Sequence, residues 1–373
     1  MRFKKIVRKI HLWLGLGSGI IVFLVSFSGC LYVFQEEISL FLQSGVFRNV
    51  EVQDRELISP IQVRTIIEKE FAHEIAEMNV TAYESGDRAS IVWVRDTNRQ
   101  YTAFLLNPYT GEVIDTYPYS ITFWAIVLVL HTSLLIPGIG HHIVAAGTLT
   151  FVILMISGIF LWFPKSKNGY KQRFSIKWGA SFKRLNYDLH NVLGFYMTWV
   201  SIFLAITGLI WSYAWVDQGI YWLASGGKQI PKQEQLFSKI PITKTHSSQM
   251  INAVLVKLIK ERDEKLHSYY IEYPSDSLSL YKIKLHYDKG SFYNRHDTYQ
   301  IDQYNGEIKD AELWKNKNAG DVIQAANFNA HVGSILGLPG KFLAFFASLI
   351  ASSLPVSGFL IWRGRKRKNK TIV

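Results

Sequence analysis

Apolar residues along this chain gather into four long runs, at 10–34, 140–163, 190–215 and 340–362. Each is long enough to cross the roughly 30 Å hydrocarbon core of a bilayer as a helix, which takes about 20 apolar residues. A fifth run, at 121–136, is too short and stops at Pro137-Gly138, which predicts a helix lying in the membrane interface or dipping partly in. Helical spacing of apolar positions predicts further helices over 60–72 and 247–262, and alternation predicts strands over 90–94, 101–106, 278–286 and 298–301. The expected layout is four spans at 1–35, 140–163, 190–215 and 340–362, and external α+β segments at 36–120 and 216–319. Interfacial helices at 121–139 and 320–339, a basic loop at 164–189 and a tail at 363–373 complete it.

The pattern occurs twice. His11 is followed by Gly15 and Ser28-Gly29, and His190 by Gly194 and Thr207-Gly208, so in each case a glycine stands eighteen residues after the histidine. His131 is followed by Ser157-Gly158 and Trp162, and His331 by Ser357-Gly358 and Trp362, at identical offsets of 26, 27 and 31. Outside the spans, the run 107–113 (Asn-Pro-Tyr-Thr-Gly-Glu-Val) corresponds to 302–308 (Asp-Gln-Tyr-Asn-Gly-Glu-Ile). Each reads as strand, turn and strand, with a glycine able to take positive φ. The expected fold class is therefore an α-helical integral membrane protein of four transmembrane helices in two tandem repeats, each repeat carrying an extracytoplasmic α+β domain. Two copies in the same orientation imply a pseudo-two-fold axis along the membrane normal.

Charge sets the expected orientation. Lysines and arginines crowd the segment before the first span, the 164–189 connection and the C-terminal tail, where Asp188 is the only acid. By the positive-inside rule these three pieces, and both termini, are expected in the cytoplasm of a bacterial inner membrane. The net charge of +12 thus reflects topology, and nucleic-acid binding is not expected. Ser28-Gly29-Cys30 resembles the end of a lipoprotein cleavage site, but the apolar run continues to Phe34 and the repeat accounts for Ser-Gly without cleavage. With Cys30 as the one cysteine, a disulfide framework, a Cys-ligated zinc site and an iron–sulfur cluster are excluded. Gly15-Leu-Gly17-Ser-Gly19 lies inside an apolar helix with no strand before it, so it is no dinucleotide loop.

Histidine remains as the chemistry-bearing residue. Ionisable groups at membrane depth are costly and so informative. His11 and His190 lie at the cytoplasmic side of the odd spans, and His131 and His331 precede the even spans on the external side. Pairing across the pseudo-two-fold gives one His–His pair near each face. Opposed imidazoles from separate helices, shielded from water, are what bis-histidine ligation of haem needs. A single interfacial histidine reads most simply as a snorkelling or hydrogen-bonded residue, whereas four in register favour ligation, with two b-type haems as the expected cofactor. Gly29, Gly208, Gly158 and Gly358 have two readings: a face clear of side chains on which a macrocycle packs, or close helix packing. His141 and His142 align with Lys341 and Phe342 and fit a symmetric ligand set poorly; His73, His246, His267, His286 and His296 show no shared pattern and read as surface residues.

The four histidine segments, His11-Leu-Trp-Leu-Gly15, His131-Thr-Ser-Leu-Leu, His190-Asn-Val-Leu-Gly194 and the ten residues from His331 to Gly340, resemble the PepSY-associated transmembrane family. The turns at 107–113 and 302–308 resemble the ends of PepSY domains, and the likeness covers nearly the whole chain. Members of that family include haem-carrying inner-membrane ferric-siderophore reductases. The resemblance implies a reductase that reduces siderophore-bound Fe(III) to Fe(II) on the periplasmic side and so releases iron. The electron donor is expected to be a membrane quinol or a cytoplasmic reductase. The ferric chelate is expected to dock near an aromatic rim of Tyr117, Tyr119, Trp124, Tyr213 and Trp215. Two other classes stay open: a non-enzymatic envelope protein that restrains proteases or senses, and a siderophore or metal permease, which four short-looped spans without a charged central residue suit less well.

Overall fold

The computed structural model describes residues 2–42, 49–164, 173–232, 234–240, 248–262, 264–287 and 294–370. Lys165, Lys167 and Lys171 of the basic loop, and His246, lie outside the described residues. The chain forms two compact units, one of Met1–Phe34, Ile126–Ile220 and Asn327–Val373, the other of Gln35–Ala125 and Tyr221–Ala326.

The first unit is helical. Its long helices are α1 (Arg2–Tyr32), α5 (Gly140–Trp162), α6 (Phe182–Ser212) and α10 (Gly337–Lys370). Among the described residues, four helical stretches are long and apolar enough to cross a membrane: Arg2–Phe41, Gly140–Trp162, Phe182–Ser212 and Ser334–Arg365. The chain is a multi-pass membrane protein. The four pack as a closed ring in the order α1, α5, α6, α10, so α1 and α6 are diagonal, as are α5 and α10. Glycines set the approach at equivalent places: a Cβ on Gly15 of α1 would meet Leu154 of α5 at 3.8 Å, and one on Gly194 of α6 would meet Leu354 of α10 at 3.5 Å. Hydroxyls within the helices turn back onto their own backbone, Ser18 to the Leu14 carbonyl, Thr148 to Val144 and Thr198 to Gly194. Lipid offers no partner, so each hydroxyl is satisfied inside its own helix.

Both odd helices start before their apolar runs. α6 begins at Phe182, and its first turns are supported by an Arg184–Asp188 ion pair at 2.9 Å, one turn apart. Hydropathy marks the length soluble in lipid, whereas a helix runs on for as long as its backbone bonds and side-chain pairs support it. His11 and His190 therefore sit two turns or more inside their helices. The 121–139 segment holds α4 (Phe123–Ser133), and α9 (Ala319–His331) is its counterpart. A short α7 (Ala214–Ala224) follows α6 where the sequence reading placed the start of an external segment.

The second unit is built on a sheet. β1 (Ile75–Tyr83), β2 (Ser90–Asp96), β3 (Tyr101–Leu106) and β4 (Val113–Pro118) form one antiparallel meander. β5 (Ser268–Glu272), β6 (Tyr281–His286), β7 (His296–Ile301) and β8 (Ile308–Glu312) form another. Antiparallel pairing of β1 with β5 joins them into one eight-stranded sheet in the order β4-β3-β2-β1-β5-β6-β7-β8. The two external segments read as separate domains thus share a sheet. The physical reason lies in β1 and β5, which are not among the strands expected above: with each meander left open at that strand, pairing them removes two exposed edges at once.

One sheet face is covered by α3 (Pro60–Glu70) and α8 (Ser248–Lys260). Val63, Ile67, Ile251 and Leu255 pack there against Val80, Val92, Leu106, Ile271, Ile283 and Ile301 in one core. α3 starts in a capping box, Ser59 and Gln62 each bonding the other's backbone N–H, with Pro60 at the first helical position. A further helix, α2 (Gln35–Phe41), opens the unit. The predicted turns are matched in both halves. Gly111 and Gly306 have φ of 74° and 68°. Asn107 Oδ1 accepts from the Tyr109 and Thr110 N–H groups, as Asp302 Oδ1 does from Tyr304 and Asn305.

Candidate functional site

The structure brings the four histidines together in two pairs. At one end of the bundle His131, the last turn of α4, docks on α1, and His331, the last residue of α9, docks on α6. Their ring centroids are 6.0 Å apart with planes tilted by 58°. At the other end His11 of α1 and His190 of α6 lie close enough for charge on one ring to be felt at the other. Along α1, His11 and Ser28 are 17 residues apart, about 26 Å at 1.5 Å per residue, so the pairs lie near opposite ends of the bundle.

Every one of the four imidazoles is held the same way. His11 Nδ1 lies 2.8 Å from Ser157 Oγ, His190 Nδ1 2.8 Å from Ser357 Oγ, His331 Nδ1 2.9 Å from Thr207 Oγ1, and His131 Nδ1 3.3 Å from Ser28 Oγ. Each hydroxyl spends its own proton on a backbone carbonyl of its helix: Ser157 on Leu154, Ser357 on Ser353, Thr207 on Leu204, Ser28 on Leu24. It is therefore an acceptor toward the histidine, and Nδ1 must carry the ring proton. His131 shows this independently, since its Nδ1 also lies 2.9 Å from the Val25 carbonyl, which only accepts. The network assigns one tautomer to all four, Nδ1–H, with the Nε2 lone pair left for another partner. Fixing a ring through Nδ1–H is how proteins orient a histidine that ligates metal through Nε2.

The glycine beside each hydroxyl faces the same ring. A Cβ on Gly29 would come to 3.0 Å of His131 Cε1; on Gly208, 3.3 Å from His331; on Gly358, 3.3 Å from His190; on Gly158, 3.6 Å from His11. The Ser/Thr-Gly pair is thus a seat for an imidazole from another helix, the hydroxyl holding it and the glycine giving it room. This role is nearer at hand than the macrocycle face or the helix packing expected of these glycines.

The residues fit a haem on two counts. Among the described residues no group of three or more His, Cys, Asp or Glu is placed to hold a metal ion. A bare ion needs about four ligands, whereas a macrocycle brings four nitrogens of its own and asks for two axial ones. The spacing of His131 and His331 agrees as well. With metal–nitrogen bonds of about 2 Å and about 1 Å from each nitrogen to its ring centre, two imidazoles that held one iron between them would have centroids roughly 6 Å apart. The observed 6.0 Å matches.

Some of the site was missed by the sequence reading. Trp211 of α6 stands edge-on to His331, centroids 5.3 Å apart; four residues after Thr207, it is on that residue's helix face. At the other end Trp162 stacks on Phe195, centroids 3.8 Å and planes 13° apart, with Phe174 at its edge. The five expected rim aromatics divide between the units. Tyr117 packs on the Ile91–Leu105 cluster and Tyr119 lies edge-on to Trp93 at 4.8 Å, in the sheet unit along with Trp124. Tyr213 and Trp215 belong to the helical unit, 5.9 Å apart. His141 and His142 are exposed and adjacent at 5.9 Å. The sheet unit's histidines do show a pattern that only strand pairing reveals: His286 and His296 are partners across β6 and β7, their rings 5.1 Å apart. Burial, reinforced by the charges of His296 and Lys284, holds His286 down at about 4. A cavity of about 300 Å³ in the same unit is lined by Arg64, Glu68, His73, Glu77 and Tyr273, among others.

No curated protein matches the chain. The family model described as the PepSY-associated TM region matches residues 8–365, which span both histidine pairs and the whole sheet. The chain belongs to the PepSY-associated transmembrane family.

Proposed function

We propose that this protein is a haem-bearing reductase of the bacterial inner membrane that passes electrons outward to a ferric siderophore in the periplasm and releases Fe(II). The observation that carries the reading is the set of four imidazoles in two pairs, each fixed as the Nδ1–H tautomer and, among the described residues, with no hydrogen-bond partner at Nε2. His11 with His190, and His131 with His331, would each hold one haem b. Haem bound at either place supplies a one-electron centre, and two such centres along the bundle give an electron two stations across the bilayer. The chain's own part is to fix the rings through Ser28, Ser157, Thr207 and Ser357, and to keep water from the iron with the surrounding helices. We read the two halves as tandem repeats with both termini cytoplasmic, so that the His11–His190 pair takes electrons from a quinol or a cytoplasmic reductase. The outer pair gives them up to Fe(III), whose reduction to Fe(II) weakens its bond to hard oxygen donors.

The test is reoxidation. Full-length protein is reduced anaerobically with stoichiometric dithionite and mixed with a ferric trihydroxamate and a ferrous chelator. The proposal expects the haem α-band to fall as the ferrous complex appears, one Fe(II) per haem oxidised. A reduced spectrum that persists over hours in excess chelate contradicts the reductase reading and leaves an anchoring or sensory role for the sheet.

A further inference from the structure

Among the described residues, two side-chain atoms in the helical unit are buried without a hydrogen-bond partner, Trp162 Nε1 and Asn327 Oδ1. A lost partner costs a buried donor or acceptor about 1–3 kcal/mol, so such atoms are rare without a reason. Both stand beside the histidine pairs. Asn327 precedes His331 by one turn on α9, and its Nδ2 donates to the carbonyl of Thr207, whose hydroxyl holds His331. Trp162 follows Gly158 by one turn on α5, on the face where Ser157 and Gly158 seat His11.

Trp162 is the more telling of the two. It is only 4% exposed, and its face-to-face stack on Phe195 with Phe174 at its edge fixes the ring, so the N–H cannot turn away to find water. An indole N–H is a donor only and calls for an oxygen acceptor. Positive charge is at hand on the same side. Arg173, next in the chain to Phe174, donates from Nη1 to Oδ1 of Asn191, the neighbour of His190. A fixed N–H near a guanidinium favours an anionic oxygen over a neutral one. Haem carries two carboxylates at one edge of its ring, and a carboxylate can reach the polar end of the bundle while the ring stays between the helices.

We propose that Trp162 Nε1–H receives a propionate carboxylate of the haem held by His11 and His190, and so fixes which way round that haem sits. The inference rests on the haem reading above. It assigns to Trp162 a ligand-binding role in place of the interface anchoring expected of a tryptophan at a span end. The repeat counterpart Trp362 is only partly buried, so the two halves differ here.

The test uses Trp162→Phe, which keeps an aromatic ring on Phe195 and removes the N–H along with part of the indole's bulk, a loss that the ester comparison below controls for. Full-length wild type and variant are stripped and reloaded with haem or with haem dimethyl ester, whose carboxylates are blocked, and release to excess apomyoglobin is timed. The phase belonging to the inner site is the one that survives in His331→Ala. With haem, the variant is expected to release that phase roughly tenfold faster, the effect of one charge-assisted hydrogen bond. With the ester, wild type and variant are expected to release it at the same rate. Equal rates with haem overturn the inference, and so does an undiminished difference with the ester, which would make Trp162 purely structural. Failure of the wild type to take up haem overturns the haem reading itself, an outcome distinct from either.

Discussion

His331→Ala protein is expected to fold, to keep the inner haem, and to lose the outer one. The substitution removes an imidazole that lies 6.0 Å from His131, centroid to centroid, and leaves His131 without the ring that would hold the haem with it. Changing only the groups that orient a ligating histidine typically costs about 10–100-fold in metal affinity, so removing a ligand is expected to cost more. Haem per protein should fall by half, and reduction of a ferric chelate should fall with it, because the outer pair is the proposed point of exit. His131→Ala is expected to do the same. The equivalence follows from matching positions: His131 is held by Ser28 of α1 and His331 by Thr207 of α6, both one residue before the glycine that faces the ring. Helix packing supplies the control. The bundle core is built from Val22, Phe151, Leu154, Met155, Ala205 and Ala351, none of which is changed, so the variants should elute as the wild type does. A full complement of haem with an unchanged spectrum in either variant would remove that pair from the account.

Alanine at the four glycines is expected to give a graded series instead of a uniform one. The order follows from clearance. Gly29→Ala brings a methyl to 3.0 Å of His131 Cε1 and 3.3 Å of Nδ1, the tightest of the four approaches, so this ring must give way most. Gly208→Ala and Gly358→Ala, at 3.3 Å, need the ring to yield by a few tenths of an ångström. Gly158→Ala, at 3.6 Å, is ordinary contact and should be nearly silent. Overpacking a well-packed site costs about 1–3 kcal/mol, and here part of that cost falls on ligand geometry. Visible spectra and thermal melts of the purified variants check this. Gly29→Ala should broaden or lose the outer haem's α-band at unchanged inner-site signal. Equal effects at all four positions would mean that the glycines serve helix packing in general and not the imidazoles.

How much of this was legible in the sequence depends on the range of the interaction. The spans could be read because crossing a bilayer imposes a length and a composition on contiguous residues. The histidine pairs could be read because the chain states them twice, at fixed offsets from Ser/Thr-Gly. The glycine turns could be read because positive φ at Gly111 and Gly306 is a local demand. The joining of β1 to β5 could not, since it pairs residues almost 190 apart, such as Thr81 with Tyr270, and although β1 alternates over 76–82, β5 does not, so nothing local marks the two as partners. The tautomer was beyond reach for a similar reason. It depends on where the hydroxyl proton of Ser157 or Thr207 goes, which only the folded backbone decides. The role of Trp162 was hidden because a tryptophan at a span end means interface anchoring on average; its unpartnered N–H is visible only after its neighbours are placed.

The central claim is that the four histidines hold two haems. Full-length protein expressed with ample haem and purified in detergent, its pyridine haemochrome normalised to protein, tests it most directly. Close to two haems b per chain are expected, with reduced spectra of bis-imidazole type. A preparation with the expected helical content and no Soret band would contradict it.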